Sequence, residues 1–447
     1  MLAGACNAAR PVASEAGASA VTMPAVAVGG GKAGMQNGAG TGASGNAATG
    51  NVTAGAFAAA GARAGDAVSA GAGGAGAGAG ALSAGASGMP AAGTAVQSGS
   101  GGGVLATPAG AGAAQGSSGA GAAAAGANAS RATFSNPLNH GDGSDPFMVY
   151  FEGYYYLTAT TWSSDLIVRR STTIDGLKAA EPVSVWTGDQ PSRCCNFWAP
   201  ELHFLDGPNG KRWYLYFTAG PSGTKTDNQR NHVLESAGTD PLGPYTYKAR
   251  IFDPGADAWA IDGSILQLAD RLYFLYSAWE GDNQNLYIAP MQNPWTLSGA
   301  RVRLSSPSFD WERITANVNE GPVVLQHADH TFVVYSASAC WGPDYQLGML
   351  TLTGSNPLDP KAWQKSSKPV FARADKNASF GPGHNGFFKS PDGSEDWIVY
   401  HANAAASGVC DTKRTTRVQK LDWNPDGTPD FGMPVAPGVE LPAPSGE

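Results

Sequence analysis

The chain has 447 residues, of which 61 are Gly and 30 are Pro, and its formal net charge is −8 at pH 7. A negative balance of charge argues against nucleic acid as a partner. No run of 18 apolar residues occurs in the sequence, so no transmembrane helix is predicted.

Residues 1–130 differ in composition from the rest of the chain. They consist mostly of Gly, Ala and Ser, with one aromatic residue, Phe57. Such a segment cannot bury enough apolar area to offset the entropy of its backbone. We therefore predict that residues 1–130 form a disordered, flexible tether. Residues 131–447, which contain every Trp, Tyr and His, are predicted to form one folded domain.

The first of the five cysteines, Cys6, stands apart from the others in the segment MLAGAC. This segment is typical of the end of a bacterial lipoprotein signal whose charged and apolar regions would lie upstream. On that interpretation Cys6 carries a lipid anchor, and the protein is secreted and held at the cell surface or in the periplasm. The alternative is a chance cysteine in an Ala/Gly-rich segment. The other four cysteines are an even number, which is compatible with oxidising surroundings.

A turn followed by a strand rich in aromatic residues recurs five times in the folded domain, about 60 residues apart. The copies begin at Gly153, Lys211, Asp270, Asp329 and Glu395. Each copy follows a short apolar run and precedes a third strand, and the longer gaps have room for a fourth. Five such meanders with almost no helical periodicity predict an all-β fold, a five-bladed β-propeller. A β-sandwich with regular turns is the structural alternative, but it would not explain five copies of one strand order.

A propeller predicts which residues meet. The first strand of each blade lines the central channel, and its start faces one end of that channel. We therefore expect one set of side chains per blade at that end: Asp145, Trp198 with Glu201, Asp262, Glu320 and His384. The loop between the second and third strands returns to the same face. These loops carry Trp162, Trp279, Cys340 with Trp341, and Cys410.

Three of these side chains, Asp145, Asp262 and Glu320, would then surround one axis without touching. Two carboxyl groups roughly 6.5–9.5 Å apart suit an inverting glycosidase, because one activates a water and the other protonates the leaving oxygen. A third carboxylate close to the acid would raise the pKa of that acid by like-charge repulsion. Taken singly, each residue could be only a turn former at a strand end. Together, beside aromatic rings suited to sugar faces, they favour a catalytic sugar site.

The ordered set of motifs over the five blades resembles glycoside hydrolase family 43, across about residues 134 to 440. The matching segments are Asp145-Pro146, Trp198-Ala199-Pro200-Glu201, Ile261-Asp262-Gly263-Ser264, Asn319-Glu320-Gly321-Pro322, GPGHNGFF around His384, and RVQKLDWNPDGTP from Arg417. The resemblance implies that Asp145 is the general base and Glu320 the general acid. It further implies that Asp262 orients Glu320 and tunes its pKa.

The resemblance also implies contacts with the sugar and with an ion. Arg417 would contact the sugar from the last blade, and the other expected substrate contacts are Trp162, Trp198, Ser264 and His384. His384 matches a family histidine that lies near the channel axis, often beside a bound calcium or other ion. A hydrogen-bonded channel histidine without a metal is the alternative. No cofactor is expected to be required for the reaction.

Within the family, the segments YYYLTATTWSSDLIVRRS, NFWAPELHF and GHNGFF are most similar to exo-acting α-L-arabinofuranosidases that trim α-1,5-linked arabinan. This resemblance implies release of L-arabinose from a plant cell-wall polysaccharide or arabino-oligosaccharide by an inverting mechanism. The protein is expected to be a monomer. The extended loops at 191–197 and 219–230 could close one side of the pocket. Endo-arabinanase, β-xylosidase or xylan-debranching activity, and a non-catalytic carbohydrate-binding propeller, are the alternatives.

The cysteines of the folded domain leave the disulfide pairing open. Cys194 and Cys195 are adjacent, so they could form a strained eight-membered ring or pair with Cys340 or Cys410. All four are predicted on the face that carries the acids. The preferred arrangement joins Cys340 to Cys410, across loops of neighbouring blades.

Overall fold

The computed structural model of the protein describes residues 131–139, 141–223 and 226–447. The predicted tether 1–130, with Cys6, lies outside these described residues. Helices in the described ranges are limited to five short 3-10 turns: Asp175–Lys178, Pro254–Ala256, Asp310–Glu312, Pro360–Ala362 and Asp375–Asn377. No helix in this part of the chain is long and apolar enough to cross a bilayer.

Five antiparallel sheets follow one another along the chain, which confirms the predicted five-bladed propeller. Strand β1 (Thr133–Ser135) precedes the blades. Blade 1 contains β2 (Phe147–Phe151), β3 (Tyr154–Thr158), β4 (Asp165–Ser171) and β5 (Val183–Thr187). Blade 2 contains β6 (Cys195–Gly207), β7 (Gly210–Gly220), β8 (Arg230–Ser236) and β9 (Tyr245–Ile251).

Blade 3 has a fifth strand, because β14 pairs with β12 beside β13. Its strands are β10 (Ala260–Leu268), β11 (Arg271–Glu280), β12 (Asn283–Asn293), β13 (Thr296–Leu297) and β14 (Val302–Ser305). Blade 4 contains β15 (Asn319–His327), β16 (His330–Ala337), β17 (Gln346–Leu352) and β18 (Trp363–Lys365). Blade 5 contains β19 (Phe380–Lys389), β20 (Asp396–Asn403), β21 (Thr415–Trp423) and β22 (Pro429–Asp430), and β23 (Glu440–Pro442) pairs with β1.

The core lies between neighbouring blades. One cluster joins Phe147 and Leu166 of blade 1 to Leu215 and Phe217 of blade 2, and equivalent clusters follow around the disc. Because both faces of a blade are covered, the second strands are buried along most of their length. Their sequences are therefore continuous apolar runs and do not alternate with polar residues. Each large apolar side chain buried in this way stabilises the fold by about 1.5–3 kcal/mol.

The segment before blade 1 closes the ring by binding blade 5. Asn136 is buried, and its side chain donates to the Val418 carbonyl at 2.8 Å and accepts the Val418 N–H at 2.9 Å. The Leu138 N–H donates to the Thr416 carbonyl at 2.9 Å. The first residues of the domain therefore run along β21 and occupy the hydrogen-bonding groups of that strand.

Two disulfides are present among the described residues. Cys340 pairs with Cys410, which is the arrangement preferred from the sequence, and it links the loop after β16 to the loop after β20. Cys194 pairs with its neighbour Cys195. The structure therefore selects the adjacent pair from the alternatives that the sequence left open.

Candidate active site

One cavity of about 360 Å³ brings the predicted acids together. Asp145, Asp262, Glu320 and His384 all line it. Five tryptophans surround them: Trp162, Trp198, Trp259, Trp279 and Trp341. A larger cavity of about 560 Å³, lined by the hairpins that follow β6 and β10, contains none of the predicted site residues.

A backbone bulge that recurs in the blades orients these side chains toward the cavity. At the start of each inner strand one residue adopts a left-handed conformation, with φ between 45° and 58°: Asp145, Ala199, Asp262, Gly321 and His384. The register of blades 2 to 5 shifts at this point. A bulge turns the side chain of a strand away from the regular pleat. Three of the five bulge residues therefore present ionisable groups to the cavity, and Glu320 precedes the bulge glycine of blade 4.

The Asp145 carboxylate lies among polar and charged side chains. Its Oδ2 accepts from Thr160 Oγ1 at 2.5 Å, and its Oδ1 accepts from Arg414 Nη1 at 3.2 Å. The Nδ1 atoms of His384 and His401 each lie 3.3 Å from the same Oδ1. Burial by itself would raise the pKa of Asp145, but the charges of Arg414 and His384 and the contact with His401 outweigh it. The pKa is held well below its usual range, so Asp145 is ionised.

Glu320 has a different environment. It is 7% exposed, its Oε1 accepts from Tyr345 at 2.8 Å, and its Oε2 accepts from Gln284 at 2.9 Å. Both donors are neutral and favour the ionised form only moderately. Burial raises the pKa of Glu320, and the negative charge of Asp145 adds to this effect.

Asp262 is the least compensated of the three acids. It is 4% exposed, and its Oδ2 accepts one hydrogen bond, from the Gly321 N–H at 2.9 Å. Burial, together with the charges of Glu320 and Asp145, raises the pKa of Asp262 to about 8, although His384 opposes the shift. The bond to Gly321 ties Asp262 directly to the backbone that carries Glu320. This contact matches the orienting role that the family resemblance implies.

His384 lies among the three acids. Burial lowers its pKa, but the charges of Asp145, Asp262 and Glu320 outweigh burial and raise it overall. The raised pKa favours the protonated imidazole, whose positive charge would offset part of the negative charge in the cavity. A lowered pKa at Asp145 beside raised pKa values at Glu320 and His384 suits acid–base chemistry on a neutral ligand.

The family model of glycosyl hydrolases family 43 matches residues 134–429, which are more than half of the chain. The chain belongs to this family. The extracellular exo-alpha-(1->5)-L-arabinofuranosidase of Streptomyces avermitilis is 40% identical over 318 residues, which are 69% of this chain and 65% of that protein. Alpha-L-arabinofuranosidase 43 of Humicola insolens is 39% identical over 328 residues, 70% of this chain and 67% of that protein.

A solved structure gives the same relationship. The crystal structure of alpha-L-arabinofuranosidase from Lactobacillus brevis is 36% identical, with a TM-score of 0.63, and the match covers 68% of this chain and 98% of that one. The chain therefore spans nearly all of that structure but only 65% of the length of the Streptomyces relative.

In the structure of this family 43 chain, some of the substrate contacts predicted from the sequence line the cavity and others do not. Trp162 and Trp198 line the cavity, with their ring centroids 5.6 Å apart. Ser264 is fully buried and is not among the residues that line the cavity. Glu201, placed at the channel mouth from the sequence, instead contacts His203 Nε2 at 2.7 Å.

Arg417 also lies outside the cavity lining. It is 1% exposed, and its guanidinium donates to the carbonyls of Ala378 and Asn403. Arg414, three residues earlier, contacts Asp145 instead. Arg414 lies just before β21 and lines the cavity, whereas Arg417 does not. The sugar contact expected of Arg417 stays a prediction.

Several residues of the site were not predicted: Thr160, Gln284, Tyr345, His401 and Arg414. Thr160 and His401 occupy equivalent positions at the ends of the aromatic strands, so an alignment of the five repeats is a signal that could have found them. No local pattern marks Tyr345 or Gln284, because Gln284 reaches Glu320 from β12 of the neighbouring blade and Tyr345 reaches it from the position just before β17.

The predicted ion beside His384 was tested against the donors present. The described residues contain no group of three or more His, Cys, Asp or Glu side chains arranged to hold a metal. His384 Nδ1 faces Asp145 at 3.3 Å, and the ring also packs against Gly321. The described side chains alone do not form a set that would hold a metal ion. The calcium ion implied by the resemblance stays a prediction, and no step below depends on it.

Proposed function

We propose that the protein is an inverting exo-α-L-arabinofuranosidase that releases L-arabinose from α-1,5-linked arabinan or arabino-oligosaccharides. The observation that carries the proposal is that one cavity holds two carboxyl groups in opposite environments, Asp145 beside the charged Arg414 and Glu320 between the neutral donors Tyr345 and Gln284. The pKa of Asp145 is lowered, whereas burial and the charge of Asp145 raise that of Glu320. Carboxyl groups whose pKa values are driven apart are assigned as base and acid.

The proposed reaction is a single displacement. Asp145 accepts a proton from a water as the water oxygen attacks the anomeric carbon, and Glu320 donates its proton to the departing glycosidic oxygen. One C–O bond forms and one breaks, so the configuration at the anomeric carbon inverts. Proton exchange with solvent then returns both carboxyl groups to their starting states. The hydrogen bond of Asp262 to the Gly321 N–H supports the position of Glu320.

The choice of arabinose rests on the relatives and on the cavity. The Streptomyces and Humicola proteins are named as arabinofuranosidases, and the former as exo-acting on the 1,5 linkage. Tryptophan rings in the cavity provide flat apolar faces for sugar C–H groups. The loops proposed as a closing wall contact each other, because the Ser222 N–H donates to the Pro191 carbonyl at 3.0 Å, and Thr226 lines the cavity.

Secretion is part of the proposal. Two relatives are described as extracellular, and the two disulfides are compatible with an oxidising environment. A lipid anchor at Cys6 and a monomeric state remain predictions. Membrane fractionation of the wild type and of Cys6→Ser tests the anchor, which is wrong if the substituted protein stays membrane-bound.

Product analysis tests the substrate and the mode of attack. Linear arabinan, arabinoxylan and xylan are each incubated with the protein, and the products are sized over time. We expect free arabinose from linear arabinan as the first product. Early oligosaccharides would identify an endo-arabinanase, and xylose or arabinose released only from the xylans would identify the other family activities. Binding of arabino-oligosaccharide without any hydrolysis would identify a non-catalytic propeller.

Two variants separate the acid from the base. We expect Glu320→Gln and Asp145→Asn each to lower kcat on arabinan by roughly 10²–10⁴-fold. An aryl arabinofuranoside has a good leaving group that needs little protonation, so it should restore much of the activity of Glu320→Gln and little of that of Asp145→Asn. Near-normal arabinan hydrolysis by either variant would contradict the assignment. Retained configuration in the first product, seen by proton NMR, would contradict inversion.

A further inference from the structure

Blade 5 differs from the other blades at one position near the end of its second strand. The register of the inner and second strands makes five positions equivalent, and four of them carry a hydroxyl: Thr160, Thr218, Ser277 and Ser336. In blade 5 the residue is His401, which pairs with Gly383 and is 1% exposed. An imidazole therefore replaces a small hydroxyl in a fully buried setting.

Most hydroxyls at this position accept a hydrogen bond from the backbone of the next blade. Three of them accept the N–H of the bulge residue in the next blade at 2.8–3.1 Å: Thr160 from Ala199, Thr218 from Asp262, and Ser336 from His384. His401 does the same for blade 1, because its Nδ1 accepts the Asp145 N–H at 3.1 Å. A Thr side chain accepts this N–H in two other blades, so the bulge alone does not require histidine.

The larger ring of His401 reaches Arg414 and Tyr345, which a hydroxyl at this position could not do. Nδ1 lies 3.3 Å from Asp145 Oδ1, and Nε2 lies 3.2 Å from Arg414 Nη1. One ring face stacks on Tyr345, with 5.6 Å between centroids and 4° between planes. Burial, and then the charge of Arg414, lower the pKa of His401 to about 3, so the ring stays neutral and retains a nitrogen that can accept.

Tyr345 continues these contacts to the other catalytic carboxyl group. It is 1% exposed, and its hydroxyl donates to Glu320 Oε1 at 2.8 Å. Its ring also packs against Gly383 so closely that a Cβ there would overlap it. Asp145, His401, Tyr345 and Glu320 thus form one unbroken series of contacts within the core of the site.

We propose that His401 and Tyr345 form a stacked positioning pair that holds Asp145 and Glu320 in a fixed relative position. The inference rests on the proposed function, since it assigns the two carboxylates as base and acid. A rigid pair suits an inverting reaction, because the base must accept a proton from the water while the acid protonates the leaving oxygen on the opposite side of the sugar. Misplacement of a catalytic group by about 1 Å can cost roughly 10²-fold in rate.

His401→Thr tests the first half of the pair. Because threonine accepts the bulge N–H in two other blades, this variant keeps the backbone contact and removes the stack. We expect thermal stability close to that of the wild type, kcat on arabinan lowered by roughly 10-fold or more, and little change in KM. His401→Asn, whose amide can still reach Asp145, should recover part of the loss. A kcat equal to that of the wild type in folded His401→Thr would overturn the proposal.

Tyr345→Phe tests the second half with the removal of one hydroxyl. Besides Tyr345, the ionisable groups facing Glu320 are Asp262, His384 and Asp145, and none of these changes. Loss of a donor to the ionised carboxylate should raise the pKa of Glu320. The basic limb of the kcat/KM profile should therefore move to higher pH by roughly one unit. Tyr335→Phe is the matched control. The buried Tyr335 hydroxyl donates to the Glu312 carboxylate over 2.9 Å, and neither residue lines the cavity. This control should leave the profile unchanged.

A second readout does not depend on activity. The Tm lost by Tyr345→Phe should grow as pH rises and Glu320 ionises. The loss in Tyr335→Phe should stay constant from pH 6 to 9. Burial raises the pKa of Glu312, but the charge and hydrogen bond of Lys365 and the N–H groups of Phe309 and Ser308 together outweigh burial and lower it. If the wild type hydrolyses no arabinan, the proposed function fails and this comparison still tests the contact. Equal pH dependence in the two variants would overturn the positioning role.

Discussion

The charge of Asp262 is poorly compensated, because a buried carboxyl group there has two acidic neighbours and one backbone donor. Its pKa of about 8 exceeds the unfolded value of about 3.9. The native state therefore binds more protons than the unfolded state between these values, so this group makes stability fall as pH rises through the window. The protein therefore loses stability at this functional residue as pH rises from about 4 to about 8.

We therefore predict that Asp262→Asn stabilises the protein more at pH 9 than at pH 5, while activity falls. The amide oxygen can still accept the Gly321 N–H, and no charge remains to be desolvated. The difference in Tm gain between the two pH values should be roughly 3 °C or more. Asp257→Asn is the control of opposite sign. Burial raises the pKa of Asp257, but the hydrogen bonds and charges of Arg230 and Arg250 together outweigh burial and lower it. The loss of Tm in Asp257→Asn should become smaller at acidic pH. A gain of Tm in Asp262→Asn that does not depend on pH would contradict the prediction.

The two arginines of the last blade should give different phenotypes. Arg414 supplies charge to Asp145, so Arg414→Gln should raise the pKa of the base and move the acid limb of the kcat/KM profile to higher pH. Arg417 binds backbone carbonyls, so Arg417→Gln should lower Tm and leave KM nearly unchanged. Kinetics at several pH values and thermal unfolding of both variants check this. A raised KM in Arg417→Gln with normal Tm would restore the sequence-based expectation.

At the level of elements, the two disulfides act on different parts of the fold. The bond between Cys340 and Cys410 spans 70 residues and joins blades 4 and 5, and both cysteines line the cavity. The bond between Cys194 and Cys195 closes no loop of the chain. Chain entropy therefore assigns a stabilisation of roughly 4 kcal/mol to the first bond and almost none to the second.

We predict that Cys340→Ala with Cys410→Ala lowers Tm by several degrees and raises KM, because the loop of Cys410 also leads into Arg414. Cys194→Ala with Cys195→Ala is the matched control and should change both quantities less. Thermal unfolding and arabinan kinetics of the two double variants provide the comparison. The prediction fails if the control loses as much stability as the cavity pair.

For the whole molecule, ring closure depends on the segment that precedes blade 1. Asn136 binds both backbone groups of Val418, in the way that a neighbouring strand would. Asn136→Ala would leave a buried N–H and a buried carbonyl unpaired, at about 1–3 kcal/mol for each group. We predict a clear fall in Tm with kcat unchanged at temperatures where the protein is folded. Asn424→Ala, in an exposed turn, should cost far less, and equal losses would show that closure does not depend on Asn136.

The sequence alone determined the architecture and the three acids. Blade number follows from a repeat that is local along the chain, because each aromatic strand is buried between two blades and must be apolar throughout. The inner strands, and with them Asp145, Asp262 and Glu320, could be located because each bulge uses a short motif within one blade. These features depend on residues close together in sequence, so a single chain displays them.

The tertiary structure decided which side chains surround those acids. His401 and Arg414 lie 256 and 269 residues from Asp145 in sequence, and they meet it only because blade 5 closes against blade 1. The choice of Arg414 over Arg417 depends on where β21 begins, and the cysteine pairing depends on how two loops approach. The sequence determined where the acids stand. Packing between blades decides the charge each one carries, because burial and neighbouring donors act through distance in space.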